Sequence, residues 1–133
     1  MERSDLSRIL RIFEYCCEIE STTQRYGKTF AAYTNDKDYQ KSIAFSILQI
    51  GELVGGLTPE FRKRTTKSIQ WNMIKGMRNF IVHGYGDIDH NTVWESVTDD
   101  IPALREFCEK EIGSQKEMET AIGAIKEECD WEL

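Results

Sequence analysis

The chain has 133 residues, enough for one domain with a single sizeable core. Apolar residues make up 40% and charged residues 30%, an ordinary globular balance, and no run approaches the roughly 20 apolar residues a membrane span requires. The formal net charge of −6 argues against a protein that coats nucleic acid without specificity.

That total conceals an asymmetry. From Phe61 to Gly86 there is no Asp or Glu, while Arg62, Lys63, Arg64, Lys67, Lys75 and Arg78 all fall there. The stretch is +6 and the remainder −12. The N-terminus, MERSDLSRIL, is interrupted by charge at once and has no signal-peptide hydrophobic region. The expected location is therefore the cytoplasm. Four cysteines are present, Cys16, Cys17, Cys108 and Cys129, with no Cys-x-x-Cys or Cys/His cluster. Reduced thiols on helix faces or in the core fit them better than a metal site.

In chain order, Leu6, Ile9, Leu10, Phe13, Cys16 and Cys17 recur at spacings of three and four, one stripe of a helix that Gly27 closes or shortly follows. A polar stretch, Thr34 to Asp38, precedes a second pattern. Ile43, Ile47, Ile50, Val54 and Leu57 step by four, three, four and three, broadened by Ala44, Leu48 and Gly51. Gly51 and Gly55 offer close approach to a neighbouring helix. Glu52 belongs on or near the solvent side, with a cleft as the alternative.

Thr58-Pro59 is a helix start, a Thr cap followed by Pro at the first helical position. A short helix follows to about Arg64, and Ser68 is a candidate cap for the next. There Trp71, Ile74, Met77 and Ile81 form the stripe, and Met73, Phe80 and Val82 add apolar bulk on other faces. Such a helix is expected to be central, or to lie at a subunit interface. Gly84 and Gly86 are expected to end it. Thr92 and Glu95 have capping-box spacing ahead of Val93, Val97, Ile101, Leu104 and Cys108. Pro102 is expected to kink or restart that helix. Gly113-Ser114 predicts a break, leaving an acidic, helix-favouring tail. The reading is all-α: an antiparallel bundle of four main helices, a short connecting helix and a C-terminal helix. The expected division is a bundle domain over 1–112 and an acidic helical extension over 113–133 that either docks as part of the same domain or frays.

The stretch MRNFIVHGYG, Met77 to Gly86, places Arg78, His83 and Tyr85 together inside the acid-free segment. Arg78 and His83 are five apart, about 140° around a straight helix, so they share a site only at a helix end or with a second chain. Taken singly, each has an ordinary reading: a surface Arg, a His at a helix C-terminus, a Tyr beside a glycine turn. His90 is expected to be an exposed loop residue, and Asp87 and Asp89 to serve in a loop and a helix cap rather than on a metal.

Arg78, four residues, His83, one residue, Tyr85 resembles the motif of the HepT-like proteins of the HEPN superfamily. The flanks agree: WNMIKGMRNFIVHGYGDID (Trp71 to Asp89), VWESVTDDIPAL (Val93 to Leu104) and ILQIGELVGGL (Ile47 to Leu57). The resemblance covers most of residues 5 to 108 and leaves out the tail after Gly113. It implies a HEPN-type bundle that forms a homodimer, with the Arg–His motifs of both protomers lining a shared cleft. It further implies a metal-independent ribonuclease with no cofactor, the toxin half of a toxin–antitoxin pair. The partner is then a minimal nucleotidyltransferase of the MntA type, which adds AMP to the motif tyrosine. On that basis Arg78 and His83 match the catalytic pair, Asn79 the supporting polar residue and Tyr85 the AMP acceptor. RNA is the implied substrate, and Lys75, Lys67 and Arg64 are candidates for its flanking phosphates. The competing expectation is a non-catalytic HEPN module that binds a nucleotidyltransferase or a nucleotide.

Overall fold

A computed structural model describes residues 1–82 and 88–130, without the side chains of Phe80, Val82 and residues 117–130. Among the described residues all regular structure is helical. The order is α1 (Arg3–Tyr26), α2 (Phe30–Thr34), α3 (Lys37–Gly55), α4 (Pro59–Thr65), α5 (Trp71–Val82), α6 (His90–Glu95), a π-helical turn over Ser96–Asp100, and α7 (Ile101–Asp130). Helix α3 lies between α1 and α5, and α1 also packs on α7. No single helix among the described residues is long and apolar enough to cross a membrane.

Periodicity places α3 correctly: Ile43, Ile47, Ile50, Val54 and Leu57 are all buried. In α1 the buried line is instead Ile9, Ile12, Cys16, Ile19 and Thr23. Leu10 is exposed and Leu6, Phe13 and Cys17 only half-buried, so the expected stripe is rotated by part of a turn. With apolar residues on both sides of the true line, their spacing left the axis of the stripe open. Gly27 ends α1 with φ +115, a left-handed conformation that favours glycine.

Capping explains the shorter joints. Asp36 accepts from the backbone N–H groups of Asp38 and Tyr39 and starts α3. Thr58 starts α4, accepting from Phe61 N–H, with Pro59 just inside. Its hydroxyl also donates to Asp5 Oδ2 at 2.6 Å and its N–H to Asp5 Oδ1 at 2.9 Å. Asp5, 1% exposed, therefore ties the first turn of α1 to the first turn of α4.

Several expected boundaries move. Ser68 does not cap α5; it sits in the turn after α4, and Met73 and Ile74 donate to Gln70 at the helix start. Thr92 does not cap α6. Asp89 does, accepting from Asn91 and Thr92 N–H and from the Thr92 hydroxyl. Gly113-Ser114 is no break: α7 runs through both, because an isolated glycine costs a helix only about 1 kcal/mol. Before Pro102 the chain widens into the π turn, where Ile101 N–H reaches back five residues to Ser96 O. The expected restart thus takes that form. Gly84 and Gly86 lie outside the described residues.

Candidate active site

Helix α5 carries the first half of the motif. Trp71, Ile74, Met77 and Ile81 are buried along one side. Thr65 holds its start: its hydroxyl accepts from Trp71 Nε1 at 2.8 Å and donates to the Phe61 carbonyl at 2.7 Å. Met73, expected to be covered, is 57% exposed in the single chain.

At about 100° per residue, Arg78 falls about 40° from Ile74, at the margin of the buried stripe. It faces α3 at Gly51. A methyl group built on Gly51 would lie 2.8 Å from Arg78 Cβ and 3.2–3.3 Å from Cδ and Cγ. The Arg78 stem therefore runs over the bare backbone of α3. Gly55 meets nothing within 4 Å, so only one of the two expected glycines makes the close approach. Beyond the stem, Arg78 Nη2 forms an ion pair with Glu52 Oε1 at 3.0 Å, both side chains being partly exposed. Glu52, which the sequence left between solvent and cleft, thus stands beside the motif arginine.

Lys75 and Asn79 are exposed on the same helix, farther round from the buried stripe than Arg78. Lys67 is exposed in the turn after α4. Arg64 is engaged elsewhere, pairing with Glu111 of α7 at 3.2 Å and lying over the Phe61 ring. Of the residues singled out for phosphate, α5 therefore gathers Lys75 beside Arg78 and Asn79, whereas Arg64 turns to α7. His83 and Tyr85, the other half of the motif, lie outside the described residues, as does Asp87.

The basic segment holds another feature that spacing did not single out. An open groove of about 550 Å³ lies between α4 and the start of α5, lined by Pro59, Arg62, Lys63, Thr66, Gln70 and Met73. Its cations are Arg62 and Lys63, not the three lysine and arginine positions first considered.

His90 is not an exposed loop residue. It opens α6, half-buried, with Nδ1 3.1 Å from the Tyr33 hydroxyl. Tyr33 stacks on Trp94 and meets Tyr39 edge-on. Burial, with Tyr39 adding to it, pushes the Tyr33 phenol up to about 12. Asp89 is occupied as the α6 cap, and the Thr92 hydrogen bonds hold its carboxyl below the usual range. Cys16 and Cys108 are buried free thiols, and burial pushes both up, Cys108 to about 12. Both stay protonated at neutral pH and are poor nucleophiles. Among the described residues no group of three or more His, Cys, Asp or Glu side chains is placed to hold a metal ion.

Residues 12–111 match the family described as Ribonuclease HepT-like. The chain belongs to that family. The match spans α3, α5 and the whole Arg78–Tyr85 motif of this HepT-like protein. A relative named "Probable ribonuclease HepT" from Thermococcus cleftensis is 30% identical over 110 residues, covering 83% of this chain and 97% of its own. "Putative RNase TTE0752" from Caldanaerobacter subterraneus subsp. tengcongensis is 32% identical over 89 residues, 64% of this chain and 79% of its own. "Putative RNase MJ1216" from Methanocaldococcus jannaschii is 27% identical over 111 residues, 83% of this chain and 89% of its own. No solved structure matches the HepT-like chain significantly.

Proposed function

We propose that this chain is the toxin of a toxin–antitoxin pair, a homodimeric endoribonuclease that works without metal and is silenced by AMP on Tyr85. The observation that carries the reading is the family match, which runs through the Arg78–Tyr85 motif. The relatives' names support the ribonuclease part of it. The described half of the motif is compatible with it: Arg78 sits at the edge of the core with its guanidinium partly open to solvent.

Metal-free cleavage requires the ribose 2′-hydroxyl to lose a proton as its oxygen attacks phosphorus, and the departing 5′-oxygen to gain one. The products are a 2′,3′-cyclic phosphate and a free 5′-hydroxyl. Imidazole serves in both roles, since its ordinary pKa near 6.5 lies close to working pH. One chain supplies one motif histidine, His83, and a two-fold dimer supplies two, one as base and one as acid. Arg78 offsets the charge that grows on the phosphate, and a guanidinium fork suits a phosphate better than an ammonium does. Asn79 adds a polar contact beside it. Exposed Lys75 and Lys67 contribute attraction to flanking phosphates. Arg64, paired with Glu111, is the weakest of those candidates.

Silencing follows from charge. The Tyr85 phenol oxygen attacks the α-phosphorus of ATP held by an MntA-type nucleotidyltransferase, and pyrophosphate leaves. The AMP group adds bulk and negative charge beside the motif and repels the RNA backbone.

The test is RNA cleavage by the purified protein in the presence of a chelator, run beside His83→Ala. Loss of about 10²–10⁴-fold in rate is expected for the variant. A folded His83→Ala protein that cleaves as well as the parent removes His83 from the mechanism. A parent that cleaves no RNA, yet binds the nucleotidyltransferase, establishes the binding-module alternative instead. Mass spectrometry after incubation with that enzyme and ATP is expected to show AMP on the parent and none on Tyr85→Phe.

A further inference from the structure

We propose that Glu52 is a positioning residue for Arg78, and that Gly51 and Glu52 together form the seat that aims the guanidinium at the scissile phosphate. This rests on the ribonuclease reading above. Two consecutive residues of α3 meet one side chain of α5 in different ways. Gly51 supplies absence, because any side chain there would collide with the Arg78 stem at Cβ, 2.8 Å away. Glu52 supplies charge, with its carboxylate 3.0 Å from Nη2.

The physical need is plain. Arginine has a long flexible stem, and one at the rim of a bundle samples many rotamers unless something fixes it. Stabilising a transition state requires donors already aimed where charge will grow. The stem of Arg78 is confined by the α3 backbone and its tip is held at one amino group. Glu52 occupies one side of Nη2, and the remaining N–H groups of the guanidinium are left to address a phosphate.

Glu52 is a poor choice for any purpose except aim. It is the more exposed partner, 61% against 38% for Arg78, and an exposed pair contributes little to folding. Its negative charge also stands beside a site expected to receive a polyanion, where it opposes binding. A residue that hinders binding yet organises the catalytic cation leaves a distinctive kinetic signature. Its removal lowers kcat while KM stays level or falls.

The experiment uses the full chain with Glu52→Ala and Glu52→Gln, each alone and combined with Arg78→Ala, on a short RNA. Expected for each single variant is a drop in kcat of about 10–100-fold, the scale of a misaimed catalytic group, with KM unchanged or lower. In the Arg78→Ala background neither substitution is expected to reduce the rate further, because Glu52 acts through that arginine. A Glu52 effect that persists without Arg78 overturns the proposal and makes Glu52 a group that acts on RNA directly. Wild-type kcat in Glu52→Ala also overturns it. So does a raised kcat, which would make the carboxylate a mask.

A second measurement separates this inference from the function it rests on. The Arg78 side-chain Nε–H resonance is expected to be a single sharp signal in the parent and to broaden or shift toward the free-arginine position in Glu52→Ala. An unchanged signal refutes the seat whether or not the protein cleaves RNA. A parent inactive on RNA but showing the expected change refutes the ribonuclease reading and leaves the seat standing.

Discussion

The close crossing of α3 and α5 can be tested with a single methyl group. In Gly51→Ala the new Cβ would start 2.8 Å from Arg78 Cβ, whereas carbon atoms rest at about 3.5–4.0 Å. Relief requires the two helices to part by about 1 Å, since neither Cβ can rotate away. Overpacking of this kind costs about 1–3 kcal/mol. Alanine also favours a helix over glycine by about 0.5–1 kcal/mol, which hides part of the loss. Gly55→Ala provides the reference, because it adds the same methyl to the same helix where nothing lies within 4 Å. The difference between the two variants isolates the clash. For a domain of this size, 1 kcal/mol corresponds to roughly 3–5 °C in Tm. Gly51→Ala should therefore melt about 3–15 °C below Gly55→Ala in a thermal scan followed by circular dichroism. Equal melting temperatures would refute the claim that bare backbone at Gly51 sets the distance between these helices.

Other expectations follow from individual contacts. Thr65→Val keeps the shape but strips the acceptor from buried Trp71 Nε1, so it should cost about 1–3 kcal/mol in urea unfolding. Thr65→Ser, which keeps the oxygen, should recover most of that loss. The Tyr33 phenol is raised from 10.0 to about 12, so the folded state holds its proton more tightly than the unfolded chain does. Its contribution is complete below about pH 10 and is lost as pH rises toward 12. Tyr33→Phe should flatten the decline in stability over that window, and an unaltered alkaline slope would contradict the assignment. The Asp89 carboxyl is lowered by its capping bonds, so its contribution is present above the ordinary carboxylate range and fades as pH falls below it. The protection of the Asn91 and Thr92 amides, taken relative to their unprotected exchange rates, should fall in that acid window in the parent, and Asp89→Ala should show the lower protection already at neutral pH.

Much of the bundle was legible because burial repeats. Ile43 to Leu57 and Trp71 to Ile81 step at helical spacing, and the structure buries both lines. Thr58-Pro59 was legible because few other sequences start a helix so clearly. Caps were read less well where two candidates stood close together. Asp89 and Thr92 both carry suitable side chains, and the outcome depended on which backbone turned extended, as Asp89 does at φ −76 and ψ 95. Asp5 was passed over because a buried carboxylate makes sense only once its partner, Thr58, is known, far along the chain. The same holds for His90 and Tyr33. At the candidate site, motif spacing picked out Arg78, and Gly51 and Glu52 stood in a flank that resembles the family, but nothing in their spacing says that they meet that arginine. Their link exists only where α3 crosses α5.

The π turn at Ser96–Asp100 has a bearing on how this protein tolerates insertion and deletion. It is a place where the helical screw holds one residue more than an ordinary turn would, and Pro102 withholds the N–H that would tighten it. Remove a residue there and the coil closes to an ordinary turn while every position downstream keeps nearly the same facing, because the surplus residue is absorbed locally. A deletion in α6 would instead swivel Ile101, Leu104 and Cys108, all fully sequestered, by about 100° away from α1. The widened loop of backbone therefore works as a phase adjuster, keeping two halves of a long rod in step with the same core.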